Sequence, residues 1–400
     1  MARHGHATLA RCEFRYRFNI GGIRVASCSA SSRPLLCSLS FSRKAAMSMT
    51  LISRTAVLGA CLLAGTAQAL PRYTLTDLAS LTPELANVHW NTLNNAGEMM
   101  GSHGTAGTLF YRWGTIEPLR LTGAPADINN DGDAIFQFHN TGGEYRSYLR
   151  TRFGRISQIP NSEQGDVMSS PWGINDARAV IGSGYRNGAQ QALLYANGVT
   201  TNLGTLGGNQ ATALDLNNAG AVVGWSETVP GDYQRSPFLY QNGTMRLLTV
   251  PGPGSEAEGI NDLGQVIINQ RFRHAWIWHD DQLTTVQMPG AEVTQAREIN
   301  NLGQVVGSSL SMQGIHPWIY EDGEIAYLRD RIDGSDYSVD LVYDLNDNGQ
   351  ILAQARRADG TFTSVLLTPA IPEPGTWAML AGGLGLIALW RRRLPAADQR

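Results

Sequence analysis

The middle of the chain repeats one short pattern of apolar and polar positions. In each copy an aliphatic residue precedes an asparagine, a turn of three residues follows, and an apolar run comes next. The asparagines of the seven copies are Asn94, Asn129, Asn175, Asn217, Asn261, Asn300 and Asn346, with separations of 35, 46, 42, 44, 39 and 46 residues. A period of this length is typical of folds in which each repeat is one supersecondary unit.

Each copy predicts a turn between two strands. The asparagine side chain can bond its own backbone two residues on, which opens a turn, and a glycine such as Gly220 can take the positive φ that closes it. An aromatic strand follows, and a pair such as Asn242-Gly243 predicts a tight hairpin. The third copy departs from the pattern, because Arg178 stands where the turn glycine belongs. A repeat is therefore predicted to contain about four short strands.

Seven such copies predict an all-β, seven-bladed β-propeller in residues 70–370. The seventh copy ends at its third strand, 362–369, and residues 72–81 resemble the fourth strands of the other copies. An N-terminal strand that completes the last blade would close the ring and remove a free edge. The period leaves one alternative open, an unclosed stack or sandwich of meanders.

The repeats also resemble a known family. The segments "LGTLGG" (203–208) and "HAWIWHDDQ" (274–282), with the asparagine turn, are similar to extracellular repeats named for a His-Ala-Phe triplet. That triplet is degenerate here, and the copies at His274 and His316 are closest to it. Their periodic placing predicts that both histidines cap a strand or pack beside an aromatic ring, with ligation or catalysis as the alternative. The resemblance implies a fold and an extracellular location, and it implies no activity.

Residues 47–69 have the features of a secretory signal peptide. A positive charge precedes a short apolar run, and Ala67 and Ala69 form a small-x-small cleavage site for signal peptidase. The apolar run is much shorter than the roughly 20 residues of a membrane-spanning helix. Residues 1–46 are interpreted as a non-native or extended N-terminus. A lipoprotein site at Cys61 is an alternative that the short run disfavours.

The segment 371–393 combines three features in a fixed order. They are Pro372-Glu373-Pro374, an uncharged run from Gly375 to Trp390, and Arg391, Arg392 and Arg393. As a helix the 16-residue run would reach about 24 Å, against about 30 Å for a hydrocarbon core. We therefore predict a short C-terminal transmembrane helix with a cytoplasmic tail at 394–400.

This order of features resembles the PEP-CTERM sorting signal. The resemblance implies that an exosortase recognises the Pro-Glu-Pro triplet and removes the apolar span. The protein would then be tethered transiently to the inner membrane before it reaches the cell surface or matrix. A permanent single-pass anchor is the alternative.

Charge and cysteine content narrow the classes of function. Residues 70–370 contain 31 acidic residues, 18 arginines and no lysine, a net charge of −13. Such a body lacks the basic surface that nucleic-acid binding requires. All four cysteines precede residue 70, so the body has neither disulfides nor thiolate ligands.

One turn has the composition of a metal site. Asp127, Asn129, Asp131 and Asp133 fit the opening of a calcium loop, in which alternating oxygens converge on one cation. Phe138 stands where such a loop needs a bidentate acid. We therefore interpret the segment as an acid-rich version of the structural turn, with a calcium site as the alternative. No other cofactor is predicted.

The body contains no recognisable catalytic motif, and no catalytic residue is assigned. Paired acids among Glu256, Glu258, Asp280 and Glu298 could still converge at the propeller mouth, as glycoside hydrolysis requires. Six periodic tryptophans are predicted to be mostly core, with one or two free to stack on sugars; they are Trp113, Trp172, Trp225, Trp276, Trp278 and Trp318. The sequence thus predicts an exported, non-enzymatic protein that binds or organises extracellular polymer such as exopolysaccharide in a biofilm matrix. The alternative is a polysaccharide hydrolase or lyase.

Overall fold

The computed structural model describes residues 70–80, 88–104, 107–119, 123–139, 142–332 and 336–370, with two short strands near the N-terminus. These two strands, β1 (Asn19–Ile20) and β2 (Ile23–Arg24), form an antiparallel pair. The chain divides into two units, Met1–Gln68 and Ala69–Arg400.

Twenty-eight strands of the second unit form seven four-stranded antiparallel sheets, the blades of a β-propeller. Blade 1 consists of β4 (His89–Leu93), β5 (Met99–His103), β6 (Gly107–Arg112) and β7 (Thr115–Pro118). Blade 2 consists of β8 (Ala124–Ile128), β9 (Ala134–His139), β10 (Tyr145–Arg150) and β11 (Ile156–Gln158). Blade 3 consists of β12 (Ser170–Ile174), β13 (Val180–Arg186), β14 (Ala189–Ala196) and β15 (Val199–Asn202).

The remaining four blades have the same order. Blade 4 consists of β16 (Ala211–Leu216), β17 (Val222–Ser226), β18 (Ser236–Gln241) and β19 (Thr244–Leu247). Blade 5 consists of β20 (Ser255–Ile260), β21 (Val266–Gln270), β22 (Ala275–His279) and β23 (Gln282–Val286). Blade 6 consists of β24 (Val293–Ile299), β25 (Val305–Ser311), β26 (Gly314–Glu321) and β27 (Glu324–Tyr327). Blade 7 consists of β28 (Ser338–Leu345), β29 (Ile351–Arg356), β30 (Phe362–Pro369) and the N-terminal strand β3 (Tyr73–Asp77).

The predicted closure of the ring is confirmed. Strand β3 pairs with β30 in antiparallel register, with Tyr73 opposite Pro369 and Asp77 opposite Val365. The fourth strand of blade 7 thus comes from the opposite end of the domain, and a free sheet edge is paired. Two 3-10 turns, Leu78–Ser80 and Leu328–Arg331, follow the outermost strands of blades 7 and 6.

The antiparallel order of each blade defines two faces of the propeller. The asparagine turns join the first strand of each blade to the second, and the tight hairpins join the third to the fourth. Both sets of turns lie on one face, which we call the turn face. The loops between second and third strands and the links between blades lie on the opposite face, which we call the link face.

The hydrophobic core lies between neighbouring blades. Val223 of β17 packs with Ile268 of β21 and with Trp278 of β22, and all three are buried. The periodic tryptophans divide as predicted, because Trp225, Trp276, Trp278 and Trp318 are buried whereas Trp113 and Trp172 are exposed.

Candidate functional site

A closed ring of hydrogen bonds joins the seven repeat asparagines at the propeller axis. In each blade the asparagine Nδ2 donates to the backbone carbonyl of the corresponding asparagine in the next blade, over 2.9–3.1 Å. The last of these bonds runs from Asn346 to Asn94 and completes the circle. The Oδ1 atom meanwhile accepts the N–H four residues on, as Asn217 does from Ala221 at 2.9 Å. One side chain therefore both shapes its own turn and ties two blades together.

The residues that follow these asparagines form a second closed ring, nearer the turn-face surface. Each backbone N–H donates to the side-chain Oδ1 of the next blade over 2.7–2.9 Å. The ring members are Asn95, Asn130, Asp176, Asn218, Asp262, Asn301 and Asp347. Asparagine and aspartate alternate from Asn130 to Asp347, so amide donors face carboxylate acceptors, as Asn218 does with Asp176 and Asp262 at 3.1 Å. Because seven is odd, the two asparagines Asn95 and Asn130 are neighbours.

The irregular third turn is explained by an ion pair. Arg178 adopts the left-handed φ of 64° that glycine takes in the other turns. Its guanidinium bonds the carboxylate of Asp133 in blade 2, which is buried. Asp133 also accepts a hydrogen bond from the backbone N–H of Arg152 at 2.7 Å. A non-glycine residue at this φ is strained. The ion pair offsets that strain, because the Arg178 guanidinium neutralises the buried carboxylate of Asp133.

Four carboxyl groups surround the axis just beneath the asparagine ring. Asp127, Asp215, Glu298 and Asp344 occupy the position two residues before the ring asparagine and line an axial cavity of about 190 Å³. Each aspartate accepts two backbone N–H bonds; Asp215, for example, accepts them from Leu216 and from Ile260 of the next blade, both at 2.7 Å. Each aspartate is therefore hydrogen-bonded to its own blade and to a neighbouring blade.

Burial raises the pKa values of these four carboxyl groups. Loss of hydration raises the pKa of Asp215 to about 7, although the two N–H bonds oppose this. Loss of hydration, followed by repulsion from Asp344, raises the pKa of Asp127 and of Glu298 well above the usual range. Arg297, which donates to the backbone carbonyl of Tyr343 at 3.1 Å, lowers the pKa of Glu298 in opposition. The axis therefore holds acids that keep their protons to a higher pH than exposed carboxyl groups do.

The link face carries a groove between blades 4 and 5. Its volume is about 480 Å³, and it is lined mainly by amides, aromatic rings and charged groups: Gln190, Gln210, Trp225, Glu227, Tyr233, Gln234, Arg235, Gly254, Glu256, Glu258, Asn269, Arg271 and Gln295. The nine residues between β17 and β18, 227–235, form one wall. This loop includes Pro230-Gly231, a turn signal that the other repeats lack at this point.

Contacts within the groove hold some of these groups and leave others exposed. Arg235 lies over the Trp225 ring, 4.3 Å from its centroid, and donates to Glu256 at 2.7 Å. Tyr233 has a φ of 54° and is 77% exposed. Arg271 lies 5.0 Å from the ring centroid of Phe272 and has no acidic partner among the residues that the structure describes. The groove therefore offers an exposed aromatic ring and a cation without an acidic partner.

Glu258 is the groove carboxyl with a perturbed acidity. Burial, followed by repulsion from Glu256, raises the pKa of Glu258 to about 7, while Asn269, Arg297 and Arg235 act in the opposite direction. Arg297 also acts on Glu298 and Asp344. The groove and the axial carboxyl groups are thus electrostatic neighbours.

The four residues of the predicted calcium loop face different partners. Asp127 accepts N–H bonds from Ile128 and Ile174, and Asn129 belongs to the asparagine ring. Asp131 is exposed, and Asp133 is paired with Arg178. Within the described ranges, no group of three or more histidine, cysteine or acidic side chains is arranged to hold a metal ion.

The four acids considered for catalysis are separated into three places. Glu256 and Glu258 line the groove, Glu298 lines the axial cavity, and Asp280 lies in a hairpin tip on the turn face. Sequence reasoning missed the groove because its lining comes from non-equivalent strand and loop positions of blades 3 to 6. The Pro-Gly insertion before Tyr233 was the one available signal.

The structure confirms that His274 and His316 pack beside aromatic rings. The ring of His274 lies 4.6 Å from that of Trp276, edge to face. The ring of His316 lies 5.6 Å from that of Tyr327 in the same geometry.

The remaining predicted sites lie outside the described residues. They are the signal-peptide cleavage residues Ala67 and Ala69, the triplet Pro372, Glu373 and Pro374, and the basic end Arg391, Arg392 and Arg393. The predicted C-terminal transmembrane helix lies in the same part of the chain. None of the helical turns in the described ranges has the length and apolar character that crossing a membrane requires.

A comparison with protein families supports the reading of the C-terminal segment. A model of the PEP-CTERM protein-sorting motif matches residues 370–393. The match implies export, transient anchoring in the membrane and processing by an exosortase. Fold and motif together define an exported seven-bladed β-propeller with a C-terminal sorting signal. No curated protein matches the chain.

Solved structures of similar shape are distant in sequence. A catalytically inactive virginiamycin B lyase from Staphylococcus aureus, with quinupristin, is 12% identical with a TM-score of 0.49, over 74% of this chain and 100% of that one. The acylaminoacyl peptidase of Pyrococcus horikoshii is 11% identical with a TM-score of 0.48, over 75% of this chain and 54% of the peptidase. This chain thus spans about half the length of that peptidase. A putative TolB from Agrobacterium tumefaciens is 10% identical with a TM-score of 0.41, over 76% of this chain and 100% of that one.

Proposed function

We propose that the protein is a non-enzymatic, exported binding protein whose link-face groove holds extracellular polysaccharide. The observation that carries this proposal is the lining of the groove, where amide side chains stand beside an exposed aromatic ring. Amides bond sugar hydroxyl groups as donors and acceptors, and an aromatic face packs against the apolar face of a sugar ring. The resemblance of the repeats to the His-Ala-Phe family supports an extracellular setting. The cell surface or exopolysaccharide matrix is the destination that we propose.

Arg271 gives the groove one cation that can bind an acidic group of a polymer, beside a lining that also includes Glu227, Glu256 and Glu258. Arg271 is the cation in the groove without an acidic partner in the described structure, whereas Arg235 is held by Glu256. A sugar carboxylate could accept a charge-assisted hydrogen bond from Arg271, and such bonds are about twice as strong as neutral ones. Polymers with isolated uronic acids among neutral sugars are therefore the preferred class, because Glu227 and Glu256 would repel a dense run of carboxylates.

The test is affinity electrophoresis of the processed protein in gels that contain exopolysaccharide from the producing cells. We expect retardation that Tyr233→Ala weakens by about fivefold, equivalent to about 1 kcal/mol of stacking. Phe153→Ala is the matched control, because Phe153 is also highly exposed but lies on the turn face. Equal retardation of both variants and the wild type would remove the groove from the proposal.

The acidity of Glu258 favours a second candidate, a polysaccharide hydrolase. A carboxyl with a pKa of about 7 is still about half protonated at pH 7, and a general acid in glycoside hydrolysis must hold its proton when the substrate binds. Glu256 would then be the second acid. Release of reducing ends by the wild type, abolished by Glu258→Gln, would establish this candidate and exclude the non-enzymatic one.

A further inference from the structure

Both ends of the propeller domain lie on the turn face. Strand β30 is the third strand of its blade and runs toward this face, where Pro369 pairs with Tyr73. The backbone N–H of Ala370 donates to the carbonyl of Arg72 at 2.7 Å. A Cβ on Gly349, in an asparagine turn, would lie 3.2 Å from Cγ of Pro369. The sorting motif therefore begins at the turn face.

The distance from this point to the membrane-associated segment is short. Only residues 371–374 separate Ala370 from the apolar run that starts at Gly375. Five residue steps span at most about 18 Å. The turn face is therefore held near the bilayer whenever the apolar run is inserted. The link face lies beyond strands of up to eight residues, about 26 Å in length.

Two exposed aromatic residues give the turn face a surface that suits lipid. Trp113 and Phe153 occupy hairpin tips of blades 1 and 2 and are 74% and 87% exposed. The guanidinium carbons of Arg112 and Arg152 lie 5.6 and 5.5 Å from these rings. Aromatic rings beside cations are favoured at the headgroup level of a bilayer. Blade 1 also adjoins blade 7, from which the sorting segment leaves.

We propose that the tethered protein rests on the membrane through its turn face, with Trp113 and Phe153 among the lipid headgroups and the groove directed away from the membrane. This orientation depends on the transient anchoring that the sorting motif implies, and it is independent of what the groove binds. The turn face also exposes Asp131, Asp280 and Asp322, which anionic headgroups repel. Trp113 and Phe153 therefore keep the turn face on the membrane only while the apolar run of the sorting segment is inserted. Cleavage of that segment releases the protein from the membrane.

The orientation can be measured with fluorescent probes at single cysteines. The chain that begins at Leu70, after removal of the signal peptide, contains no cysteine, so that Phe153→Cys or Phe272→Cys carries a single apolar fluorophore on the turn face or on the link face. Both parent residues are exposed. The labelled proteins are reconstituted into phosphatidylethanolamine and phosphatidylglycerol vesicles with headgroup nitroxide lipids. We expect strong quenching of the label at 153 and none above background at 272.

A second pair of variants and a truncation complete the test. Asp131→Cys and Met312→Cys, on the turn face and the link face, replace any member of the first pair that does not fold. A chain that ends at Ala370 should lose the quenching at 153. Equal quenching at both faces, or stronger quenching on the link face, would overturn the orientation. Because no polysaccharide is present, failure here is distinct from failure of the proposed binding.

Discussion

The two faces of the propeller differ in how closely they follow the repeat. On the turn face all seven blades contribute an asparagine to one ring of hydrogen bonds, and the seven residues that follow form a second ring. On the link face blades 4 and 5 depart from the repeat, through the loop 227–235 and the glutamates of β20. The equivalent residues of the seven repeats thus stabilise the closed ring. The residues of blades 4 and 5 that differ from the repeat form the groove.

The largest expected effect comes from breaking the asparagine ring. Asn217→Ala leaves the Ala221 N–H without a partner and removes one of the two hydrogen bonds that the buried Asn261 carbonyl accepts, the other coming from Gly264. An unsatisfied buried N–H costs about 1–3 kcal/mol and the loss of a further hydrogen bond about 0.5–1.5 kcal/mol, so we expect urea denaturation to show a loss of about 2–4 kcal/mol. Asn218→Ala, one residue further and exposed, is the control and should cost less than about 1 kcal/mol, because water can replace its bonds. Similar losses in the two variants would contradict the assigned difference between the rings.

A smaller and pH-dependent effect is expected at the axis. The folded protein holds protons on Asp127, Asp215, Glu298 and Asp344 that the unfolded chain releases, because their pKa values are raised. Stability from these groups is therefore full below pH about 4 and is lost as the pH rises through their folded pKa values.

Glu298→Gln tests this dependence, because glutamine is uncharged and nearly isosteric. At pH 8 the variant should be more stable than the wild type, because the raised pKa of Glu298 means that ionising this carboxyl destabilises the folded protein. At pH 4.5 thermal unfolding should show no difference between the two. Glu292→Gln, an exposed change in the same blade, should have no effect at either pH. A destabilised Glu298→Gln protein at pH 8 would show that this carboxylate is needed in its charged form.

The smallest effect is expected at the irregular turn. Arg178→Gly relieves the backbone strain but removes the partner of buried Asp133. We expect the loss of charge compensation to prevail by about 1 kcal/mol, because a buried carboxylate without a counter-charge is costly even though the N–H of Arg152 still donates to it. Adding Asp133→Asn should recover most of that loss in equilibrium unfolding. A single variant more stable than the wild type would mean that strain outweighs the ion pair.

The sequence was sufficient for the architecture because the turn chemistry is local. The asparagine, the closing glycine and the hairpin pairs each act within one repeat, so seven strand pairs could be read directly. The strand at 72–81 was assigned to blade 7 because that blade lacked a fourth strand.

The interblade chemistry could not be read in the same way. In the sequence, nothing distinguishes Asp215 from other acidic residues that precede a turn. Its carboxylate reaches the N–H of Ile260 only because the closed ring places blades 4 and 5 side by side. Glu258 and Tyr233 lie in different blades and non-equivalent loops, so no spacing along the chain brings them together. The segment that resembles a calcium loop also supplies Asn129 and Asn130 to the two hydrogen-bonded rings, and its composition alone did not reveal that role.

The most direct test of the contrast between the faces is one paired measurement on two variants. The free energy of unfolding and the retardation by exopolysaccharide are determined for Asn217→Ala and for Tyr233→Ala, at a temperature where both are folded. We predict that Asn217→Ala loses stability and keeps wild-type retardation, whereas Tyr233→Ala keeps stability and loses retardation. Loss of retardation in Asn217→Ala with full retardation in Tyr233→Ala would contradict the account.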